Sequence, residues 1–377
     1  MAKHRIFISA GEISGDSLGA DLMRELNSIT DIEFYGLGGK NMFNAGLNSI
    51  TEDVSTLSTV GFIESLRFYK KKANLIKQSS KFIKDNGIRT VIAVDNQGFS
   101  IPLLRKAKKL GAKTFFYIPP RVSIWGEWNA PKIPQIADYL ITFFDEDREI
   151  YSRYTENVTH TGNPIIDRIE SFNPDPDFYI KNRLDKSLPI VSIFPGSRFQ
   201  EIETLIDTML QAGRILSDEH NFQIVLPVSH SIFDKTVRDA VSKAGLADKV
   251  RIIDGQGYQA MYHSVANIMA SGTATLESAL FKKPTVICYK VSGLTFFIGK
   301  RLVPKQMIGL PNILSDKKIF PELLQKDFNP REIVKHTLAL IETNDTYTEY
   351  YDKIRAKLGN PPVVKKAARY IAERLEE

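Results

Sequence analysis

Short apolar runs recur down this chain, and most of them lead into glycine, serine or an acid before a segment with helical spacing begins. Arg5-Ile-Phe-Ile-Ser9, Phe34-Tyr-Gly-Leu-Gly-Gly39, Thr90-Val-Ile-Ala-Val94, Lys113-Thr-Phe-Phe-Tyr-Ile118, Tyr139-Leu-Ile-Thr142 and Val158-Thr-His-Thr161 follow one another in the first half. Strands that alternate with helices at this spacing build parallel sheets with helices on both faces, so the fold class is α/β. Phe172-Asn-Pro-Asp-Pro-Asp177 then interrupts the rhythm, and two prolines among short polar residues predict an extended, exposed linker. The pattern restarts with Ile190-Val-Ser-Ile-Phe194, Phe222-Gln-Ile-Val-Leu226, Val250-Arg-Ile-Ile253, Val265 to Ala270 and Val286-Ile-Cys-Tyr289. A length of 377 residues is comfortable for two such domains, each with its own core. The expected division is 1–172, 173–345 and a tail over 346–377. Helix-like segments near 330–342, 345–357 and 363–375 close the chain, and those in the tail are expected to pack near the interdomain region.

In a parallel α/β sheet, ligands meet the C-terminal ends of the strands, so the residues found there are the candidate site. After the first strand stand Glu12, Ser14, Gly15 and Asp16, a loop whose two acids suit sugar hydroxyls or a base better than a phosphate. Asp95 ends the Thr90–Val94 strand. In the second half, Pro195-Gly-Ser-Arg198 ends a strand, and Arg198 has the guanidinium geometry for a diphosphate. Ser271-Gly-Thr-Ala-Thr-Leu-Glu277 follows another strand and opens a helix. Unpaired N–H groups and the helix dipole favour an anion there, Gly272 allows close approach, Thr273 and Thr275 add hydroxyls, and Glu277 is placed for a ribose. The same stretch also reads as an ordinary capped turn.

Between the second and third apolar runs, Val60-Gly-Phe62-Ile63, Leu66, Phe68 and Tyr69 fall at near-helical spacing and Lys70, Lys71 and Lys72 follow. Two readings stand: a helix packed on the core, or an amphipathic surface with Phe62, Leu66 and Phe68 against lipid and the lysines at the headgroups. The formal net charge of +6 suits anionic small molecules or an anionic membrane, and no nucleic-acid module is present. Cys288 is the only cysteine and lies in an apolar run, and the six histidines lack metal-ligand spacing, so neither a disulfide nor a metal is expected. No apolar run approaches the ~20 residues of a membrane span. The N-terminal run reads as a strand rather than a signal peptide, which predicts a cytoplasmic location.

Taken together, Ser9-Ala-Gly-Glu-Ile-Ser-Gly-Asp16, Phe34-Tyr-Gly-Leu-Gly-Gly39 with Met42, Pro195-Gly-Ser-Arg198 with Glu201, Ser271-Gly-Thr-Ala-Thr-Leu-Glu277, Tyr289-Lys-Val291, Leu310-Pro-Asn-Ile313 and Phe320-Pro-Glu-Leu323 resemble the lipid-A-disaccharide synthase family of inverting glycosyltransferases. The resemblance implies a GT-B-like fold of two Rossmann-like domains facing a cleft, with the acceptor in the N-terminal half and the UDP-sugar in the C-terminal half. It implies a UDP-diacylglucosamine donor, 2,3-diacylglucosamine 1-phosphate (lipid X) as acceptor, and no cofactor. Arg198, Ser271, Gly272, Thr273, Glu277 and Asn312 become donor-site residues. Asp95, Glu12 and Asp16 are the candidates for the base, and Ser14 and Gly15 belong to the acceptor loop. Peripheral contact with the anionic inner membrane and a homodimer through exchanged C-terminal domains are also implied. The chain departs from the family at three places: Gly98 stands for the second acid of Asp-x-Pro-Asp-Phe-Asn, Ser123 for the first tryptophan of Trp-x-Trp with Trp125 kept, and Asn163 for the histidine of Gly-His-Pro.

Overall fold

The computed structural model describes residues 3–50, 65–124, 126–290 and 307–376. Contacts divide the chain into two compact units, Met1–Asp167 with Lys357–Glu377, and Arg168–Ala356. These boundaries differ from the expected 172/173 and 345/346. The Pro-rich stretch is held on the second unit: the Phe172 ring lies 6.0 Å from Tyr258 and 5.0 Å from Phe281, and the Asp175 N–H donates to Gln259 Oε1 at 2.9 Å.

Seven parallel strands form the sheet of the first unit: β1 (His4–Ala10), β2 (Ile32–Leu37), β3 (Leu47–Ser49), β4 (Thr90–Val94), β5 (Lys113–Tyr117), β6 (Tyr139–Thr142) and β7 (Val158–His160), in the order β3-β2-β1-β4-β5-β6-β7. Ile6, Phe7 and Ile8 are all fully buried, so β1 is covered on both faces, as helix crossovers require. The helix Ile13–Ile29 contributes Leu22, Met23 and Leu26 to that core. Gly36 lies inside β2 at φ +149°, and a Cβ there would fall 1.8 Å from the Ile8 carbonyl oxygen. At this position β1 and β2 exclude any side chain.

The second unit repeats the plan with six strands: β8 (Ile190–Phe194), β9 (Gln223–Val228), β10 (Val250–Asp254), β11 (Ala266–Ala270), β12 (Thr285–Tyr289) and β13 (Glu322–Leu324), ordered β10-β9-β8-β11-β12-β13. In each sheet the order reverses once beside the first strand, between β1 and β4 and between β8 and β11. Those are the topological switch points, where the loops on either side diverge and leave a crevice.

The closing helices separate. Thr348–Lys357 buries Tyr351 and Ile354, with Tyr351 against Phe320 at 6.1 Å. Val363–Glu373 buries Val363, Val364, Ala367, Ala368 and Ile371 and packs on the Ile13–Ile29 helix of the first unit. Its start is fixed by Asp167, whose carboxylate accepts from the Val363 and Val364 N–H groups, each at 2.9 Å. Among the described residues, no helix is long and apolar enough to cross a membrane.

Candidate functional site

In the second unit, Met269 of β11 is in register with Phe194 of β8, so the loops that follow these strands flank the switch point. One is Pro195–Arg198. Gly196 has φ +133°, and a Cβ there would fall 2.6 Å from that of Glu201. Glu201, in the first turn of the helix Phe199–His220, accepts from the Ser197 N–H at 3.0 Å and from Arg198 Nη1 at 2.8 Å. Arg198 is half exposed, its guanidinium steered by that carboxylate at the loop's open side.

The other loop is Ser271–Thr273, leading into the helix Ala274–Leu280. Gly272 and Thr273 are exposed, and a Cβ on Gly272 would meet only open space, so the backbone N–H groups here are accessible to a ligand. Thr275 is not: it is fully buried and its hydroxyl donates to the Gly272 carbonyl at 2.7 Å. Glu277 is half-buried, and its Oε1 accepts from the Tyr258 hydroxyl at 2.8 Å. Burial pushes the Glu277 carboxyl above its ordinary range, against the opposite pull of Tyr258 and Arg168. One carboxylate oxygen is thus engaged by Tyr258 in this arrangement. Neither Tyr258 nor Arg168 stands out in the sequence, because both lie far along the chain from Glu277.

Asn312 takes a different place from the one its motif suggests. It is 0% exposed, its amide donates to Phe320 O and to Glu322 Oε1 at 2.8 Å each, and its carbonyl accepts from Phe320 N at 2.9 Å. Its side chain is therefore out of reach of a ligand. Glu322 is the organising group that sequence reading passes over: it is buried and also accepts from the Ile308 and Gly309 N–H groups, at 3.1 and 2.9 Å. Ser271 is tied to the same segment, its hydroxyl donating to Ile308 O at 3.3 Å. Asn312 and Glu322 shape the loop beside Ser271, while Ser271, Gly272 and Thr273 form the surface.

In the first unit, Ala10 pairs with Val94, so Glu12 and Asp95 emerge side by side at the β1/β4 switch point. Glu12 is half-buried at the start of the Ile13–Ile29 helix, Ser14 is exposed, and Gly15 is buried, packed beside Ala10 and the Val94 carbonyl. Asp95 and Asn96 have φ of +49° and +42°, two consecutive left-handed non-glycine residues, a strained turn of the kind found at functional sites. Asn96 accepts from the Phe99 N–H at 3.2 Å and caps the helix Gln97–Lys109. A Cβ on Gly11 would fall 2.6 Å from Asn96 Nδ2, so the two loops touch.

Asp16 does not join this group. It is buried, and its carboxylate accepts from the N–H groups of Gly39, Asn41 and Met42 at 2.7, 3.0 and 3.0 Å, anchoring the short helix after β2. With three backbone donors on it, the carboxylate has a structural task. Asn163 likewise is buried and capping: its side chain accepts from Ile165 N at 3.1 Å, and its own N–H donates to Leu358 O at 2.7 Å. The departure from Gly-His-Pro thus falls at the return of the C-terminal segment.

Phe62 and Trp125 lie outside the described residues. Leu66 and Phe68 fall on the helix Ser65–Asp85, with their side chains outside that description. Lys70 and Lys71 are exposed, whereas Lys72 is half-buried and turned toward Gly98. Among the described residues, no cluster of three or more histidine, cysteine or acidic side chains could hold a metal. Cys288 is fully buried and its thiol pKa is pushed up by desolvation, as a core residue's should be.

Two Rossmann-type sheets in one chain, each with charged and small residues at its switch point, define a GT-B-like class of fold. Solved structures agree: the S. aureus MnaA–UDP co-structure superposes with a TM-score of 0.65 at 14% identity, over 100% of this chain and 97% of that one. UDP-GlcNAc 2-epimerase from Neisseria meningitidis, bound to UDP-GlcNAc, gives 0.62 at 15% identity over the whole of both chains. At such identity the likeness is one of fold. Sequence narrows it: the profile of the family described as lipid-A-disaccharide synthetase matches residues 6–374. The lipid-A-disaccharide synthase of Persephonella marina is 36% identical over 98% of this chain and 98% of its own length. The chain belongs to the lipid-A-disaccharide synthetase family.

Proposed function

We propose that the protein transfers 2,3-diacylglucosamine from UDP to lipid X and releases UDP. The observation that carries this reading is the pair of loops at the β8/β11 switch point, Pro195–Arg198 and Ser271–Glu277, which hold the family's donor motifs in a chain that matches the family from end to end. On this reading the second unit takes the donor. Arg198 and the N–H groups at Gly272 and Thr273 meet the diphosphate, and Glu277, steadied by Tyr258, meets the ribose. The first unit takes the acceptor. The 6-hydroxyl of lipid X attacks the anomeric carbon as its proton passes to Asp95 or Glu12. The bond from that carbon to the UDP oxygen breaks, and donors in the second unit carry the developing charge.

An acylated donor and acceptor fit a protein that works on the anionic inner-membrane surface from the cytoplasmic side, and the net charge of +6 with Lys70 and Lys71 exposed supports that contact. A homodimer through exchanged C-terminal domains belongs to the same reading and is read out by sedimentation. Gly98 favours a second reading, a paralogue with the same donor and another acceptor. UDP release that requires both UDP-diacylglucosamine and lipid X supports the first. UDP release only with a different acyl sugar replaces it with the second, and no release with any acceptor overturns both.

A further inference from the structure

Lys72 does not share the surroundings of its neighbours. It stands one helical step from Leu75 and Ile76, which with Ser79 and Ile83 form the stripe that the helix Ser65–Asp85 buries, while Lys70 and Lys71 face solvent. Its ammonium reaches the turn after β4: a Cβ at position 98 would lie 3.0 Å from Lys72 Nζ and 3.6 Å from Asn96 Oδ1. That turn is the strained Asp95-Asn96 pair, in touch with Gly11 after β1, so the cation stands at the β1/β4 switch point. Among the described residues no carboxylate pairs with it. Burial lowers its pKa, and among the described residues no acid offsets the shift. A half-desolvated ammonium without a counter-charge is costly on its own and becomes favourable once an anion joins it. The absence of a side chain at Gly98 leaves the ammonium uncovered, and an acid at that position would neutralise it.

We propose that Lys72 binds the phosphate group of the acceptor glycolipid at the mouth of the first sheet, and that Gly98 keeps this cation free for it. The proposal rests on the acceptor reading of the first unit. It makes Lys72 a substrate contact within the domain, apart from the exposed Lys70 and Lys71. It also gives the departure at Gly98 a physical meaning: the position has exchanged an acid for access to a cation.

The test is calorimetric binding of 2,3-diacylglucosamine 1-phosphate with short acyl chains, compared with the same sugar bearing a 1-hydroxyl. The full-length wild type should prefer the phosphorylated sugar. Lys72→Met should weaken that sugar alone by roughly 10–100-fold, the worth of one charge-assisted hydrogen bond, with UDP affinity unchanged. Lys72→Arg should keep most of the preference. Gly98→Asp should lose it, and Lys77→Met, an exposed change on the same helix, should leave it intact. Equal weakening of both sugars by Lys72→Met, an equal loss in Lys77→Met, or no preference in the wild type would each overturn the proposal. The readout does not depend on turnover. A Lys72-dependent preference without disaccharide synthesis would uphold the phosphate site while refuting the synthase reading, and synthesis with the preference intact in Lys72→Met would do the reverse.

Discussion

Asparagine at position 16 should damage the fold before it slows the chemistry. Asp16 Oδ1 accepts from Gly39 and Met42, and Oδ2 accepts from Asn41. An amide there keeps one acceptor oxygen and turns an NH₂ group toward a backbone N–H. The lost charge-assisted bond is worth about 1.5–3 kcal/mol, and the other two fall to neutral strength, about 0.5–1 kcal/mol each. The total is about 2.5–5 kcal/mol. Because the first unit is a large domain, each kcal/mol lowers its transition by about 2–4 °C, so Asp16→Asn should melt roughly 5–20 °C below the wild type. Differential scanning calorimetry reads the loss. UDP binding, which is assigned to the second unit, should be unchanged, and turnover measured well below the transition should stay within a few-fold of wild type. A variant that melts with the wild type yet loses about 10²–10⁴-fold in turnover would refute the structural role and make Asp16 the base.

Three further predictions follow from the same geometry. Asp95→Asn should leave UDP binding and thermal stability near wild type and cut turnover by about 10²–10⁴-fold, and near-normal rates would shift the base to Glu12. Gly36→Ala should fail to give folded protein, since its Cβ would lie 1.8 Å from the Ile8 carbonyl oxygen; a soluble variant with a normal transition would disprove the pairing of β1 with β2. The raised pKa of Glu277 means that the folded state holds its proton at pH values where the unfolded state has released it. Stability from this source is full below the unfolded-state value and falls as pH rises through the folded one. Melting curves of Glu277→Gln and wild type should therefore diverge in the variant's favour as pH rises from about 4 toward neutral, and parallel curves would show that the carboxyl titrates normally.

The alternation of strands and helices is legible in this sequence because parallel strands bury both faces, so that runs such as Arg5–Ser9 and Ile190–Phe194 stand out as mainly apolar stretches. Strand ends are legible for the same reason, and Glu12, Asp95, Arg198 and Gly272 do lie at the two switch points. What sequence does not reveal is which polar side chains are already consumed. Asp16 is taken by N–H groups 23 to 26 residues away, and Asn312 by Phe320 and Glu322, contacts created only when distant loops close. Glu322 sits in one of the motifs that carry the family resemblance, and its task as an acceptor for Ile308 and Gly309 has no local signature. Lys72 is the instructive case, since its helical register with Ile76, Ser79 and Ile83 is present in the sequence but hidden by the lysines before it. One aromatic residue ties the Pro-rich stretch to the second unit: Phe172 packs among Tyr258, Tyr262 and Phe281, while Asn173, Pro174, Pro176 and Asp177 are exposed.

The most direct measurement is the structure of the product itself. Purified protein incubated with UDP-diacylglucosamine and lipid X should release one UDP per disaccharide formed, and NMR of that disaccharide should show a β-configured 1′,6 linkage with the 1-phosphate retained. UDP released by hydrolysis without a disaccharide, or an epimerised UDP-sugar in its place, would contradict the assignment of the two switch points to donor and acceptor.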